Sequence, residues 1–551
     1  MTSFLTWSDE GQGDEKGKGA ATTVIHDVVI RDGLIVDGNG GRPYVGQVGI
    51  SGRRISYVGS QKVEGDRYLD ARGLMISPGF IDLHTHSDFT LLLDGRAASK
   101  IMQGVTTEII GNCGVSVAPL RGAGREVAAE EAMIHGAEEL MDWETLDQYF
   151  ERLEEARPAL NVGALMGHGV LRAAVVGLES RPASSDELEL MGELLQEGLN
   201  QGAWGLSAGL FYAPGSFASG EEMTALCTQL ARSGALYTCH IRDESNQVQQ
   251  ALQDFLDLTL RTGVRSQLSH IKAETRMAWG WARRMIEQVE DAHQQGAQVA
   301  ADLYPYRASA TSLSGNLLSL SRWAEEGGRS GLLERLTQPP LRQQIELEIA
   351  TCIERRGGPH RILISRYPPN SNWVGRTLGD LCRQEKKEAH QVVAAMLEES
   401  DGACICFDMI EEDIQEFLLQ PWVAVASDGR AVSTNNALRW GSPHPRSFGA
   451  FPRVLSEYVR HLQLLDWGDA IRKMTSLPAE RLGLADRGRL EAGLYADLVL
   501  FDPQRIADKS TYSNPYAYPE GISEVMVNGV LVVEEGRLTG ARPGQILRRI
   551  R

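Results

Sequence analysis

The 551-residue chain is 42% hydrophobic and 23% charged, which excludes wholesale disorder and supports a sizeable core. Acidic residues outnumber Lys and Arg by 73 to 55, for a net charge of −18; such a surface repels nucleic acid and anionic membrane and favours a small-molecule substrate. No apolar run approaches the roughly 20 residues that span a bilayer, and the seven scattered cysteines, with one close pair (Cys404 and Cys406), suit a reducing cytoplasm.

Residues 1–23 are rich in Gly, Lys and Glu and lack the apolar core of a secretory leader, so a flexible tail is expected. Residues 26–59 read as short alternating strands, with Asp32-Gly33 and Ser51-Gly52 as hairpin turns, and residues 24–73 as part of a small β-sandwich. From Leu74 to about residue 430 the rhythm becomes strand, turn, helix, repeated. Candidate strands are 75–82, 106–110, 161–166, 204–207, 236–240, 266–270, 298–303 and 422–426, with amphipathic helical runs such as 185–201 and 219–233 between them. Eight strands alternating with helices predict an α/β fold of the (β/α)8 barrel type. A doubly wound sheet is the alternative, but no Gly-rich phosphate loop follows the first strand.

Residues 307–420 are too long for one crossover. They predict an inserted subdomain with helices at 342–355 and 385–397 and a strand at 403–407. Past Arg481 hairpin chemistry returns, with Asn528-Gly529 a strong two-residue turn. The expectation is therefore one sandwich built from residues 24–73 and 481–551, with the barrel domain, 74–480, inserted into it.

The chemistry begins at residues 78–88, PGFIDLHTHSD. Residues two apart on an extended strand share a face, so His84 and His86 aim at one point. Asp82 and Asp88 flank them, and ligating histidines need carboxylate or carbonyl partners. Catalytic groups of such a barrel lie at the C-terminal ends of its strands. Those ends carry Cys113, His240, His270 and Asp428 in addition. Each alone is a weak signal, since a lone buried Cys is ordinarily a small hydrophobe. Six at five strand ends make a metal site. Imidazole, thiolate and carboxylate together suit Zn²⁺, with tolerance for Co²⁺, Mn²⁺ or Ni²⁺. Six donors exceed one tetrahedral site, which predicts one tightly held ion and a second, weaker one, with Cys113 able to bridge them. A carboxylate there, Asp428, can take a proton from a metal-bound water as it attacks an amide carbonyl and pass it to the leaving nitrogen.

HTHSD after the first strand, the strand-end histidines and SDG after the last resemble the amidohydrolase superfamily. GFIDLHTHSD, QGVTTEIIGNCGVSVAPL, GHGVLR, SAGLFYAPGSFAS, CHIRDES, SHIKAE, DLYPY, ASDG and HPRSFGAFPRVL resemble more closely its D-aminoacylase (N-acyl-D-amino-acid deacylase) family, from about residue 25 to the C-terminus outside the inserted region. The resemblance implies that Cys113, His240 and His270 hold the tight zinc, and that His84, His86 and Asp428 form the weaker site, with Asp428 the acid/base. It further implies that Lys272, Tyr304 and Arg446 hold the substrate's α-carboxylate, a role their chemistry suits. His168, ending the third strand, stays open between a substrate-side and a structural role.

Hydrolases of this superfamily that cleave cyclic amides bridge two metals with a strand-4 lysine; here that strand reads WGLSAGL, and Ser207 cannot serve. The glutamate motif of the deaminase branch is also missing. The expected activity is therefore zinc-dependent deacylation of N-acyl-D-amino acids, small molecules with no nucleic acid or membrane involved. The alternatives are the same architecture acting on a cyclic imide, peptide or xenobiotic amide, or a binding protein without catalysis, which the complete ligand set argues against. One sequence carries no statement of an oligomer.

Overall fold

The computed structural model describes residues 25–319, 322–435 and 441–549; the tail expected at residues 1–23 lies outside them. Eight short parallel strands form the central layer: Phe80–Asp82, Val105–Ile110, Asn161–Ala164 continued by Met166–Gly167, Gly205–Gly209, Leu236–His240, Arg265–Leu268, Val299–Leu303 and Val423–Val425. Each pairs with the next in sequence. The third strand breaks at Leu165, whose N–H turns to Ile110 O while Ala164 O takes the N–H of Trp204. The ring closes where Thr85 bridges to Gly429 and the Asp428 N–H donates to His84 O at 3.0 Å. This is the expected (β/α)8 barrel, its strands apolar and buried because helices cover them outside and side chains fill them inside.

The expected strand 75–82 is two strands. Met75–Pro78 pairs antiparallel with Leu498–Phe501 in an outer sheet, and only Phe80–Asp82 enters the barrel. Gly79 is the joint: a Cβ there would lie 2.1 Å from Thr106 Oγ1 on the next barrel strand. The apolar run is uniform across the joint because both sheets bury it, so periodicity cannot reveal the break.

The outer sheet has nine strands drawn from both ends of the chain, running from Arg537–Leu538 through Leu498–Phe501, Met75–Pro78 and Ile25–Ile35 to Arg54–Gly59. It curls back on itself, the Ile55 N–H donating to Leu494 O at 2.8 Å. Ile30, Ile35, Val48, Ile50, Ile76, Leu498, Leu500 and Met526 fill its interior. Ser51-Gly52 and Asn528-Gly529 make hairpin turns. Asp32-Gly33 does not: the strand runs through it as a bulge, its register shifting between Ile30 and Gly33 while Asp32 takes φ 61°.

The inserted region carries its own three-stranded antiparallel sheet, Ser309–Ser312, Ala403–Cys406 and Ile362–Arg366, under the helices Pro339–Arg355 and Ala389–Glu399. Its core is separate, with Ile345, Ile349, Ile364, Val393 and Leu397 among its members. Cys404 and Cys406 remain thiols there.

The last described residues leave the outer sheet and close the barrel's N-terminal end. Gln545 O accepts the Val162 N–H at 2.9 Å, Leu547 O accepts Trp204 Nε1–H at 2.7 Å, and Leu547 packs on the cluster of Ile81, Ile109, Leu165 and Leu236. The side chains that follow the C-terminal ends of the strands gather at the opposite end. Among the described residues no helix is long and apolar enough to cross a membrane.

Candidate metal centre

Six side chains named from the sequence meet at that end. Cys113 Sγ lies 3.3 Å from His84 Nε2 and 3.4 Å from His270 Nε2. Asp428 Oδ1 lies 3.0 Å from His86 Nε2 and 3.5 Å from His84 Nε2. Three triads each bring their donor atoms within 4.8 Å of one another: His84, His86 and Cys113; Cys113, His240 and His270; His84, His270 and Asp428. All six are buried except His86, which keeps 17% of its side chain exposed.

Strand geometry delivers them. His84 and His86 follow Phe80–Asp82 on one face, while Thr85 between them turns away to donate to Ile109 O at 2.9 Å. Cys113 sits on a tight turn that Asn112 closes, its Nδ2 donating to Ile109 O at 2.9 Å. Gly114 follows with no room for a side chain, since a Cβ would lie 2.7 Å from Gly209 N. Cys113, His270 and Asp428 take φ of 52°, 36° and 48°, the left-handed region that non-glycine residues avoid. Strain of that kind persists where surrounding structure over-determines a functional position.

Two acids missed at the sequence level organise the cluster. Asp302, in the strand Val299–Leu303, accepts from His84 Nδ1–H at 2.9 Å, from the His270 N–H at 2.8 Å and from Gln267 Nε2–H at 3.1 Å. This turns His84 Nε2 toward Cys113, where a metal can take the place of its proton. Glu244 faces His240 Nε2 at 3.2 Å, His270 Nδ1 at 3.1 Å and Lys272 Nζ at 2.8 Å. Both stand inside motifs quoted above, DLYPY and CHIRDES. An acid close to a strand-end histidine was the available signal, but Asp302 serves a histidine 218 residues away.

The electrostatics suit a cation. Burial pushes the Cys113 thiol up, but the His84 and His270 imidazoles outweigh it and hold the thiol well below its ordinary range. Burial opposes charge on His86 and His240 as well, yet the former, facing Asp428, and the latter, facing Glu244, are lifted to about 9. Burial raises Asp428, and Arg446 together with His270, His86 and His84 more than reverses it. A well that binds protons this strongly is one in which a divalent ion can replace them. The donor set fits: thiolate, imidazole and carboxylate are zinc-type ligands, and Nδ1 of buried His240 makes no hydrogen bond.

Beside this cluster, Arg446 contacts Asp428 Oδ2 at 2.8 Å, donates to Ala310 O at 3.1 Å and lies 4.6 Å over the Tyr304 ring. His444 braces it, Nδ1 accepting the Arg446 N–H at 3.0 Å. Lys272 Nζ is 5.7 Å from the Tyr304 ring, and the buried Tyr304 hydroxyl makes no hydrogen bond. Lys272 also reaches His270 Nδ1 at 2.6 Å. His168 points elsewhere. It is wholly buried, 2.7 Å from Glu222 Oε1, in a cluster that includes Arg172.

The chain matches the amidohydrolase family over residues 67–308 and 441–533. N-acyl-D-glutamate deacylase of Alcaligenes xylosoxydans xylosoxydans is 35% identical over 524 residues, 95% of this chain and 96% of that one. A D-aminoacylase structure concerned with its binuclear metal centre superposes with a TM-score of 0.80 at 32% identity, covering 95% of this chain and all of that one. N-acyl-D-glutamate deacylase from Bordetella bronchiseptica, in complex with zinc and a phosphonate mimic of the tetrahedral intermediate, gives the same TM-score, identity and coverage.

Proposed function

The chain belongs to the amidohydrolase family, and from that premise we propose that it is a metal-dependent hydrolase that removes the acyl group from N-acyl-D-amino acids, releasing the D-amino acid and a carboxylate. Cys113, His240 and His270 would hold one ion; His84, His86 and Asp428, whose Oδ1 lies 3.5 and 3.0 Å from their Nε2 atoms, would hold a second, with Cys113 in reach of both. Zinc is the metal this donor set suits best. When bound, the metal polarises the amide carbonyl and acidifies a water.

The protein supplies the rest. Asp428, kept ionised by Arg446 and the neighbouring histidines, accepts a proton and returns it to the departing nitrogen. Arg446 and the open hydroxyl of Tyr304 receive the α-carboxylate, and Lys272, paired with Glu244 in this structure, would join them by exchanging that partner. A substrate carboxylate joining Arg446 would lie one guanidinium away from the acid/base. That shared guanidinium, bridging Asp428 and Tyr304, is the observation that carries the reading.

The test is a screen of the metal-loaded protein against N-acetyl and longer N-acyl amino acids, D against L, with cyclic ureides alongside. Release of free D-amino acid from the linear substrates is expected. Turnover of the ureides with none of the N-acyl-D series would replace the reading with a cyclic amidase.

A further inference from the structure

Lys100 has no part in the reading above, yet its side chain is fully buried. It stands in the short helix Ala98–Ile101, between the first two barrel strands. Its Nζ donates to Asp82 Oδ2 at 2.8 Å, Ser427 Oγ at 2.5 Å and Gly429 O at 3.3 Å, so three protons meet three acceptors. Two of these acceptors flank Asp428, and the third lies two residues before His84. Asp82 Oδ1 closes the ring by accepting the Ser427 N–H at 3.0 Å, and Ser427 Oγ accepts the Gly429 N–H at 3.0 Å. Neighbours on the same segment extend the brace. Ser99 Oγ accepts the Val432 N–H at 2.9 Å, and Gln103 Nε2 donates to Ser447 O at 3.0 Å, beside Arg446.

Stability does not account for this arrangement. Taking an ammonium and two carboxylates (Glu108 is 3.8 Å from Nζ) out of water is expensive, and apolar replacements of such groups are often neutral or stabilising. What the network secures is a backbone. Asp428 takes φ 48°, a conformation that springs back unless its neighbours hold it. We propose that Lys100 is a positioning residue for Asp428: its three hydrogen bonds clamp both residues flanking Asp428 to the strand that carries His84 and His86. The catalytic consequence rests on the acid/base role proposed for Asp428; the geometric claim does not.

The experiment takes the full-length, metal-loaded enzyme with Lys100→Met, Lys100→Met/Asp82→Asn and Ser427→Ala. It reads Tm, bound metal, kcat, KM and a crystal structure of each variant that folds. The double variant removes the charge pair together, so it is expected to regain the Tm that Lys100→Met loses. Both Lys100 variants should keep KM within about threefold and lose about 100-fold in kcat, the scale of a small misplacement of a catalytic group. Their crystal structures should show Asp428 displaced from Arg446. Ser427→Ala keeps every charge and should lose about tenfold in kcat with a smaller fall in Tm than Lys100→Met, with Asp428 again displaced. Recovery of kcat together with Tm in the double variant, or an unmoved Asp428, overturns the proposal and leaves Lys100 as the counter-ion of Asp82. If neither Lys100 variant folds, Ser427→Ala decides: parental kcat with Asp428 in place overturns it. If the parent deacylates no N-acyl-D-amino acid, the functional reading fails, while the position of Asp428 in the crystals still decides the positioning claim.

Discussion

At the scale of single residues, the site is built from pairs, each partner setting the state of the other. Arg446 and the cluster histidines hold Asp428 ionised, and Asp302 fixes which nitrogen of His84 faces Cys113. Asp428→Ala should keep the fold and the metal of the Cys113 site while kcat falls by about 10²–10⁴-fold, the usual worth of general acid–base catalysis. A variant with parental kcat removes Asp428 from the chemistry. Arg446→Ala should raise KM about 10–100-fold, the loss of a charged hydrogen bond to the substrate carboxylate. An unchanged KM would place that carboxylate elsewhere. The strand-end types were legible in the sequence because each stands beside a short apolar run. Asp302 and Glu244 were not, because what marks them is the company they keep in space.

At the scale of elements, local pattern was a good guide to where strands and helices lie and a poor one to which sheet a strand joins. Ser184 and Ser219 cap the helices Ser185–Asn200 and Gly220–Ser233, close to the runs read from the sequence. The hairpin at Asn528-Gly529 follows from its turn chemistry. Residues 75–82 divide between two sheets, because a buried strand looks alike in either. Asp32-Gly33 bulges instead of turning, because the paired strand Tyr44–Ser51 continues past it. Gly79 is the element-scale weak point. Gly79→Ala would drive a methyl group into Thr106 and should lower stability by about 1–3 kcal/mol, read by denaturant titration. Parental stability would show that the two strands part without needing that contact.

At the scale of the whole molecule, the barrel presents one end to substrate because the other is closed by the C-terminal residues around Leu547. The metal cluster draws on five strand ends, so an ion bound there ties distant parts of the chain together. Chelation should lower Tm and added zinc restore it, the bound ion contributing about 2.7 kcal/mol when free metal stands at a hundred times its Kd. A Tm indifferent to chelator would mean that the cluster holds no ion of consequence. The sequence by itself determined the barrel, the return of the outer sheet at the C-terminus and the six candidate ligands, because apolar periodicity, turn chemistry and strand-end position are local properties. Only the tertiary structure decided that Asp302 and Glu244 orient the histidines, that His168 serves Glu222 and that Lys100 braces the loop around Asp428. Those contacts join residues whose separation along the chain carries no signal, and they exist only once the ring of strands has closed.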